Sequence, residues 1–253
     1  SIVGAFIFGA AWAFIPAYLQ AKRGSHIVIT TIMFNFIASS LMVYLLVDVI
    51  RDMKQMGPHT VALPKELWLP SFKDLAALFG VKIRYSPLNA SFLLAIAASF
   101  FVWFLVWKTK WGYEMRAVGH NTQAAIYAGI SPYKNIIIAM LISGGLAGLL
   151  SINEILGVHH KIVSGFPAGY GFTGIAVALM GRNHPIGIFP AAFLFGILYQ
   201  GGSEVTFDMP NITRYMFVAV QGVIILFSGA LENLFRPQIE SFFVNRLNRQ
   251  VEA

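Results

Sequence analysis

Cysteine is absent from this 253-residue sequence. That excludes disulfides, thiolate metal sites and thiol catalysis, while fitting either side of a membrane. Charge is scarce too: Asp, Glu, Lys and Arg together make up 11 % of the chain, against about 25 % in an ordinary soluble domain. So few charges cannot solvate a soluble surface. The hydrophobic residues, at 57 %, would overfill a soluble core of this length. A soluble enzyme and a disordered chain are both excluded, and an integral membrane protein remains.

Further absences narrow the chemistry. No glycine-rich loop ends in Gly-Lys-Ser/Thr, so the chain is not itself an ATPase. No Gly-x-Ser-x-Gly occurs, which removes the serine-hydrolase signature. His159 and His160 are adjacent, point different ways on a helix, and do not read as a metal pair. No basic start with a cleavage site marks a signal peptide. The net charge is +7, yet no basic run with interleaved aromatics suggests nucleic acid. Basic loops of a membrane protein account for it.

What is present is apolar sequence in long stretches. A spanning helix needs about 20 mostly apolar residues. Seven stretches qualify: 1–21, 27–47, 88–107, 135–153, 162–181, 183–199 and 215–231. The fifth carries Gly165, Pro167, Gly169, Gly171 and Gly174, which oppose a regular helix. It reads as a broken or re-entrant entry followed by a short span. Such backbone is tolerated at membrane depth only inside protein or along a cavity. The predicted fold is an all-α polytopic membrane helix bundle of about seven spans, one transmembrane domain over residues 1–253.

Orientation follows from the loops. One side holds Lys22, Arg23, Lys108, Lys110, Arg116, Lys134, Arg182, Arg236, Arg246 and Arg249; the short loops opposite hold only Lys161 and Arg214. Ten against two makes the first side cytoplasmic. Residues 48–87 then form an outer loop, and the tail 232–253 lies inside. The outer loop contains Pro58, Pro64, Pro70 and Pro87. Residues 63–70 read as extended chain, and 72–79 as a short amphipathic helix. The loop either joins spans or offers a platform to an external partner.

The cytoplasmic segment 108–134 is more specific. Asn121 can cap a helix over Thr122 to Ala128, Gly129 suits the left-handed closing position, and Pro132 prevents continuation. A two-turn helix is not stable alone in water and must pack on something. It either lies on lipid headgroups or docks into a cytoplasmic protein, and the lack of a dense basic stripe favours the protein.

Polar residues inside apolar spans usually face a bundle interior or a water path. Asn35 is the most central in the second span, with Thr30, Thr31 and Ser39 near it. Asn153 and Glu154 lie towards the outer end of the fourth, Thr173 in the short fifth and Gln221 in the seventh. Each serves helix–helix bonding or substrate contact. Phe34, Phe36 and Phe172 could stack on a base or sugar, or pack against lipid. Gly144-x-x-x-Gly148 and Gly187-x-x-x-Ala191 allow close helix approach.

Arg116-Ala-Val-Gly119-His-Asn121-Thr-Gln-Ala124-Ala125-Ile-Tyr-Ala-Gly129 resembles the coupling segment of ABC-importer permeases of the ribose and branched-chain amino acid type. Asn153-Glu154-Ile-Leu-Gly157, Gly169-Tyr-Gly-Phe172-Thr173-Gly174 and Gly181-Arg-Asn-His-Pro185 resemble the subgroup paired with basic membrane lipoprotein-type binding proteins. That family pattern has an acid where Thr173 stands. The resemblance implies a permease for nucleosides or simple sugars in a bacterial inner membrane. It also implies further spans ahead of Ser1.

Its implied partners are a second permease subunit, a cytoplasmic ABC ATPase, an extracytoplasmic substrate-binding lipoprotein and the lipid bilayer, with no nucleic acid. No cofactor belongs to this chain; ATP and Mg bind the ATPase. The expected ATPase-coupling residues are Arg116, Gly119, Asn121, Ala124, Ala125 and Gly129. The expected pathway residues are Asn35, Asn153, Glu154, Phe172, Thr173 and Gln221. The competing reading is an ion-coupled transporter or channel without an ATPase. It requires an acid near a span midpoint, and the nearest, Glu154, stands at an end. No nucleophile–base pair supports an intramembrane enzyme.

Overall fold

The computed structural model describes residues 1–51, 57–73, 88–166, 169–209, 216–224 and 226–227. The protein is all-α and polytopic. Among the described residues, five helices are long and apolar enough to cross a membrane: Ile2–Arg23, Ile27–Val49, Ser91–Lys108, Pro132–His159 and Pro185–Phe207. The chain divides into two compact units, Ser1–Ala168 and Gly169–Ala253.

In the first unit α1 spans Ile2–Arg23 and ends on Gly24, whose φ of 66° lets its N–H reach back to the Gln20 carbonyl. Lys22 and Arg23 occupy its last turn, where cations suit the exposed carbonyls. Helix α2 (Ile27–Tyr44) follows after a three-residue turn and runs on as a π-helical turn, Leu45–Val49. Trp12 of α1 meets Phe34 of α2 edge to face at 6.0 Å. Helix α3 covers Ser91–Lys108, α4 Lys110–His120, α5 Thr122–Tyr127 and α6 Pro132–Gly148. A π-helical segment, Ile152–His159, extends α6.

The tightest seam joins α1 and α6. A Cβ on Gly9 would lie 3.0 Å from the Gly148 Cα, and one on Gly148 would lie 3.3 Å from the Gly9 Cα. Gly144 also faces Gly9 and Ala13, while the Phe6 ring covers Gly145. Small residues at 5, 9 and 13 thus form one stripe of α1 opposite the Gly144-x-x-x-Gly148 stripe of α6. In lipid no hydrophobic force separates helix from solvent, so backbone approach of this kind carries the association.

The second unit holds α7 (Tyr170–Met180) and α8 (Pro185–Asp208). Ala176, Val177, Ala191 and Phe195 form their shared core, with Met180 and Ile188 beside it. Gly181 and Gly187 permit the tight turn between them: a Cβ on Gly181 would lie 2.7 Å from the Ile188 nitrogen. Arg182 and Asn183 take left-handed backbone there, at φ 54° and 53°. Residues 216–224 are helical, and Phe217 packs on Gly202 of α8.

Four boundaries differ from the sequence expectation. The fourth span reaches His159 rather than Asn153, because it widens to π geometry instead of stopping. The sixth continues to Asp208. The fifth stretch contains a helix of only 11 residues, preceded by Gly165 and Gly169 at φ 76° and 82°. Residues 63–70 are not simply extended: Lys65–Leu67 make a 3-10 turn, and the Trp68 indole N–H closes it by donating to the Leu63 carbonyl at 3.0 Å. Of the helix expected over 72–79, Phe72 and Lys73 are helical, and residues 74–79, like the tail 232–253, lie outside the described residues.

Candidate functional site

Two arrangements in the first unit gather most of the polar residues expected to matter. The first is the corner between α3 and α6. Thr109 turns the chain: its hydroxyl donates to the Leu105 carbonyl at 2.6 Å and accepts from the Gly112 N–H at 3.2 Å. Gly112 is buried against the Leu105 and Val106 carbonyls, where any Cβ would collide. Helix α4 leaves from that corner.

Asn121 both ends α4 and starts α5. Its N–H donates to the Ala117 carbonyl at 3.1 Å, and its side-chain oxygen accepts from the N–H groups of Gln123 and Ala124 at 3.0 and 3.1 Å. The far end of α5 closes with equal economy. The Ile130 N–H donates to the Ala125 carbonyl and the Gly129 N–H to the Ile126 carbonyl, both at 2.9 Å, with Gly129 at φ 78°. This is the paired Schellman closure that needs a left-handed residue. Pro132 then opens α6 at its first position, where its missing N–H costs nothing.

Ala125 points inward and is 2 % exposed, whereas Arg116, Gly119, Asn121, Ala124 and Gly129 are exposed. Tyr127 is 93 % exposed and Ile126 50 %. Beneath α5, the buried Asn135 of α6 donates to Glu114 of α4 at 3.4 Å and to the Ser131 carbonyl at 3.1 Å. Lys110 pairs with Glu114 at 3.9 Å. The corner thus packs α5 through Ala125 and leaves Ile126 and Tyr127 on its open side, while Glu114 and Asn135 tie α4 to α6.

The second arrangement lies at the π-helical end of α6. The Asn153 side-chain oxygen accepts from the Asn89 amide at 3.1 Å and lies 2.7 Å from the Ser91 hydroxyl, which also reaches the Asn89 oxygen. The Asn153 amide donates to Glu154 at 3.0 Å. Glu154 is buried, and its other oxygen lies 3.6 Å from His159 Nε2. Gly157 leaves room for Asn89, since a Cβ there would stand 2.9 Å from the Asn89 Cγ.

Of the remaining expected pathway residues, Asn35 is exposed on α2. The neighbouring Thr31 hydroxyl is occupied by its own helix, donating to the Ile27 carbonyl at 2.9 Å. In the second unit Phe172 is exposed, Thr173 half-buried and Gln221 buried. The structure brings Asn153 and Glu154 together, and the six coupling residues together along 116–129.

These features can be set against known proteins. The family described as branched-chain amino acid transport system, permease component, matches residues 1–229. The chain belongs to this permease family. A guanosine ABC transporter permease protein of Bacillus subtilis (strain 168) is 36 % identical over 230 residues, covering 90 % of this chain and 63 % of that protein. A glucose ABC transporter permease protein of Haloferax volcanii is 32 % identical over 248 residues, covering 97 % and 64 %. A nucleoside ABC transporter permease protein of Lactococcus lactis subsp. cremoris (strain MG1363) is 35 % identical over 231 residues, covering 87 % and 60 %. The chain spans less than two thirds of the length of each of these relatives. No solved structure matches.

Sequence reasoning on this permease missed several residues. Helix α4 went unseen because Gly112 and Gly119 lower its propensity; the Thr109 cap was the available signal. Asn89 and Ser91 stand 64 and 62 residues from Asn153, and only the fold makes them neighbours. Glu114 and Asn135 pair across 21 residues in the same way.

Proposed function

We propose that this permease chain forms the substrate path of an ATP-driven importer for nucleosides or simple sugars. The observation that carries the reading is the α4–α5 corner. A two-turn helix cannot hold itself together in water, yet this one is capped at both ends, set between two helices tied by Glu114 and Asn135, and left with Tyr127 and Ile126 uncovered. That is the build of a docking knob for a cytoplasmic ATPase. The ten-to-two bias of basic residues supports placing it, and the C-terminus, on the cytoplasmic face of a bacterial plasma membrane.

The proposed assembly holds two permease subunits, the ABC ATPase and an extracytoplasmic binding lipoprotein. ATP and Mg bind the ATPase, and no cofactor is assigned to this chain. Asn35, Asn153, Glu154, Phe172, Thr173 and Gln221 are the proposed path residues. The permease supplies differential affinity between its states, and the ATPase supplies the energy. The substrates in the names of the relatives, guanosine, glucose and nucleosides, support the substrate class.

The test is ATP-dependent uptake of radiolabelled guanosine and glucose by the complete importer, with and without substitutions across Gly119–Gly129. Loss of both uptake and ATPase association is expected. Survival of both refutes the coupling assignment, and uptake driven by an ion gradient without ATP refutes the importer reading.

A further inference from the structure

Residues 57–73 do not hang free in the structure; they are strapped along the π-helical end of α6. The Leu69 N–H donates to the Leu156 carbonyl at 3.0 Å and the Leu63 N–H to the His160 carbonyl at 2.8 Å. The Thr60 N–H donates to the Ile162 carbonyl at 3.2 Å, and the Ile162 N–H returns a bond to the Thr60 hydroxyl at 3.0 Å. His59 and Val163 face each other as an antiparallel pair. The Trp68 ring lies parallel to the His160 ring at 3.8 Å, tilted by 8°.

The same strap continues to the start of α3. Ser71 pairs with Asn89, the Phe72 N–H donates to the Leu88 carbonyl at 2.8 Å, and the Ala90 N–H to the Pro70 carbonyl at 3.1 Å. Asn89 and Ser91 then hold Asn153 from the other side. The π segment is therefore gripped twice, once along its backbone and once through Asn153.

What is gripped is a strained object. π-helical turns are rare and recur at functional sites. His160, which ends this one, takes left-handed backbone at φ 53° without being glycine. Such a residue keeps that geometry only where its surroundings over-determine it, and such residues cluster at switches. Here the strap supplies two of the constraints, as Leu63 holds the His160 carbonyl and Trp68 covers its ring, and the π segment a third, as the ring Nδ1 lies 3.1 Å from the Leu156 carbonyl.

We propose that residues 57–73, with Asn89 and Ser91 as positioning residues, form a latch that clasps the Ile152–His159 segment and must release it in each transport cycle. With the strap in place, the π turn keeps Asn153 and Glu154 turned into their closed network. When it lifts, the segment is free to rewind with one residue fewer in each hydrogen-bonded ring, which re-aims both side chains. The proposal rests on the transport reading above, which places this end of α6 on the outer face.

These 253 residues contain no cysteine, so none of them competes with an introduced pair. His59 and Val163 form the antiparallel pair type whose Cα atoms stand about 4.5 Å apart, inside disulfide range. The double variant His59→Cys/Val163→Cys is made in the complete importer and oxidised. Guanosine and glucose uptake is then read before and after reductant. The expected result is efficient cross-linking, at least a tenfold fall in uptake, and recovery on reduction. Cross-linking with unchanged uptake overturns the latch, and failure to cross-link overturns the docking of the strap.

A second measurement uses the unmodified importer. Amide hydrogen exchange of the peptides carrying Leu63, Leu69 and Ile162 is compared with and without ATP turnover. Slow exchange at rest and loss of protection during turnover are expected; equal protection in both overturns the proposal even if the double variant transports poorly. Absence of any ATP-dependent uptake by the unmodified importer would instead overturn the transport reading.

Discussion

Gly9 and Gly148 meet backbone to backbone, and neither has room for a Cβ. Helices α1 and α6 therefore touch through main-chain atoms along one seam. A methyl group at Gly148 would run into the Ala5 carbonyl and stand 3.3 Å from the Gly9 Cα. Overpacking of a fitted site costs about 1–3 kcal/mol, so Gly148→Val should lower the thermal unfolding midpoint and the yield of detergent-solubilised protein. Gly4→Ala, on the same helix in open space, should change neither.

The caps of α5 are separable. Asn121→Ala removes both side-chain bonds to the first turn, at a cost of about 1 kcal/mol. Asn121→Asp keeps an acceptor and should retain most of the wild-type behaviour. Gly129→Ala forces a Cβ into left-handed backbone at φ 78°, a cost of about 1–2 kcal/mol. Both damaging variants should exchange amide hydrogen faster over residues 122–130, and both should retain less ATPase on co-purification.

Tyr127 offers the opposite pattern. It is almost fully exposed and bears no load within its own unit. Tyr127→Ala should leave the thermal midpoint unchanged while weakening ATPase association about tenfold or more, as aromatic anchors at interface centres do. Equal ATPase recovery with the variant would remove Tyr127 from the docking surface.

Glu154 tests how the closed network is held. Glu154→Gln preserves an oxygen that accepts from the Asn153 amide at 3.0 Å and loses the charge facing His159. Glu154→Leu strands the amide of the half-buried Asn153, and a fully buried group left so would cost about 1–3 kcal/mol. Thermal unfolding of the two variants should separate them, with the Leu variant less stable. Similar midpoints would mean that the Asn153–Glu154 bond contributes little.

The sequence carried local information well and distant information poorly. Asn121, Gly129 and Pro132 announce a short helix with both ends defined, because caps depend on neighbours within four residues. Gly144-x-x-x-Gly148 announces a close helix contact, though not that its partner stripe is 5, 9 and 13. The end of the fourth span was illegible: apolar sequence stops near Asn153, but hydrogen bonding continues to His159 with a wider pitch. The strap was illegible for the same reason. Most of its bonds join backbone groups about a hundred residues apart, such as the Thr60 N–H and the Ile162 carbonyl, and every residue has a carbonyl, so side-chain patterns record little of them.

The shared role of Asn121 has a mechanical meaning. One residue terminates α4 and initiates α5, so no slack chain lies between them. A push on Tyr127 cannot be absorbed by a flexible tether. In the docking proposed above, such a push would turn α5 and α4 together about Thr109 and Ser131, and the Glu114–Asn135 contact would pass part of it to α6. In that docking the corner would act as a crank, whose stroke is set by the angle between its two short arms.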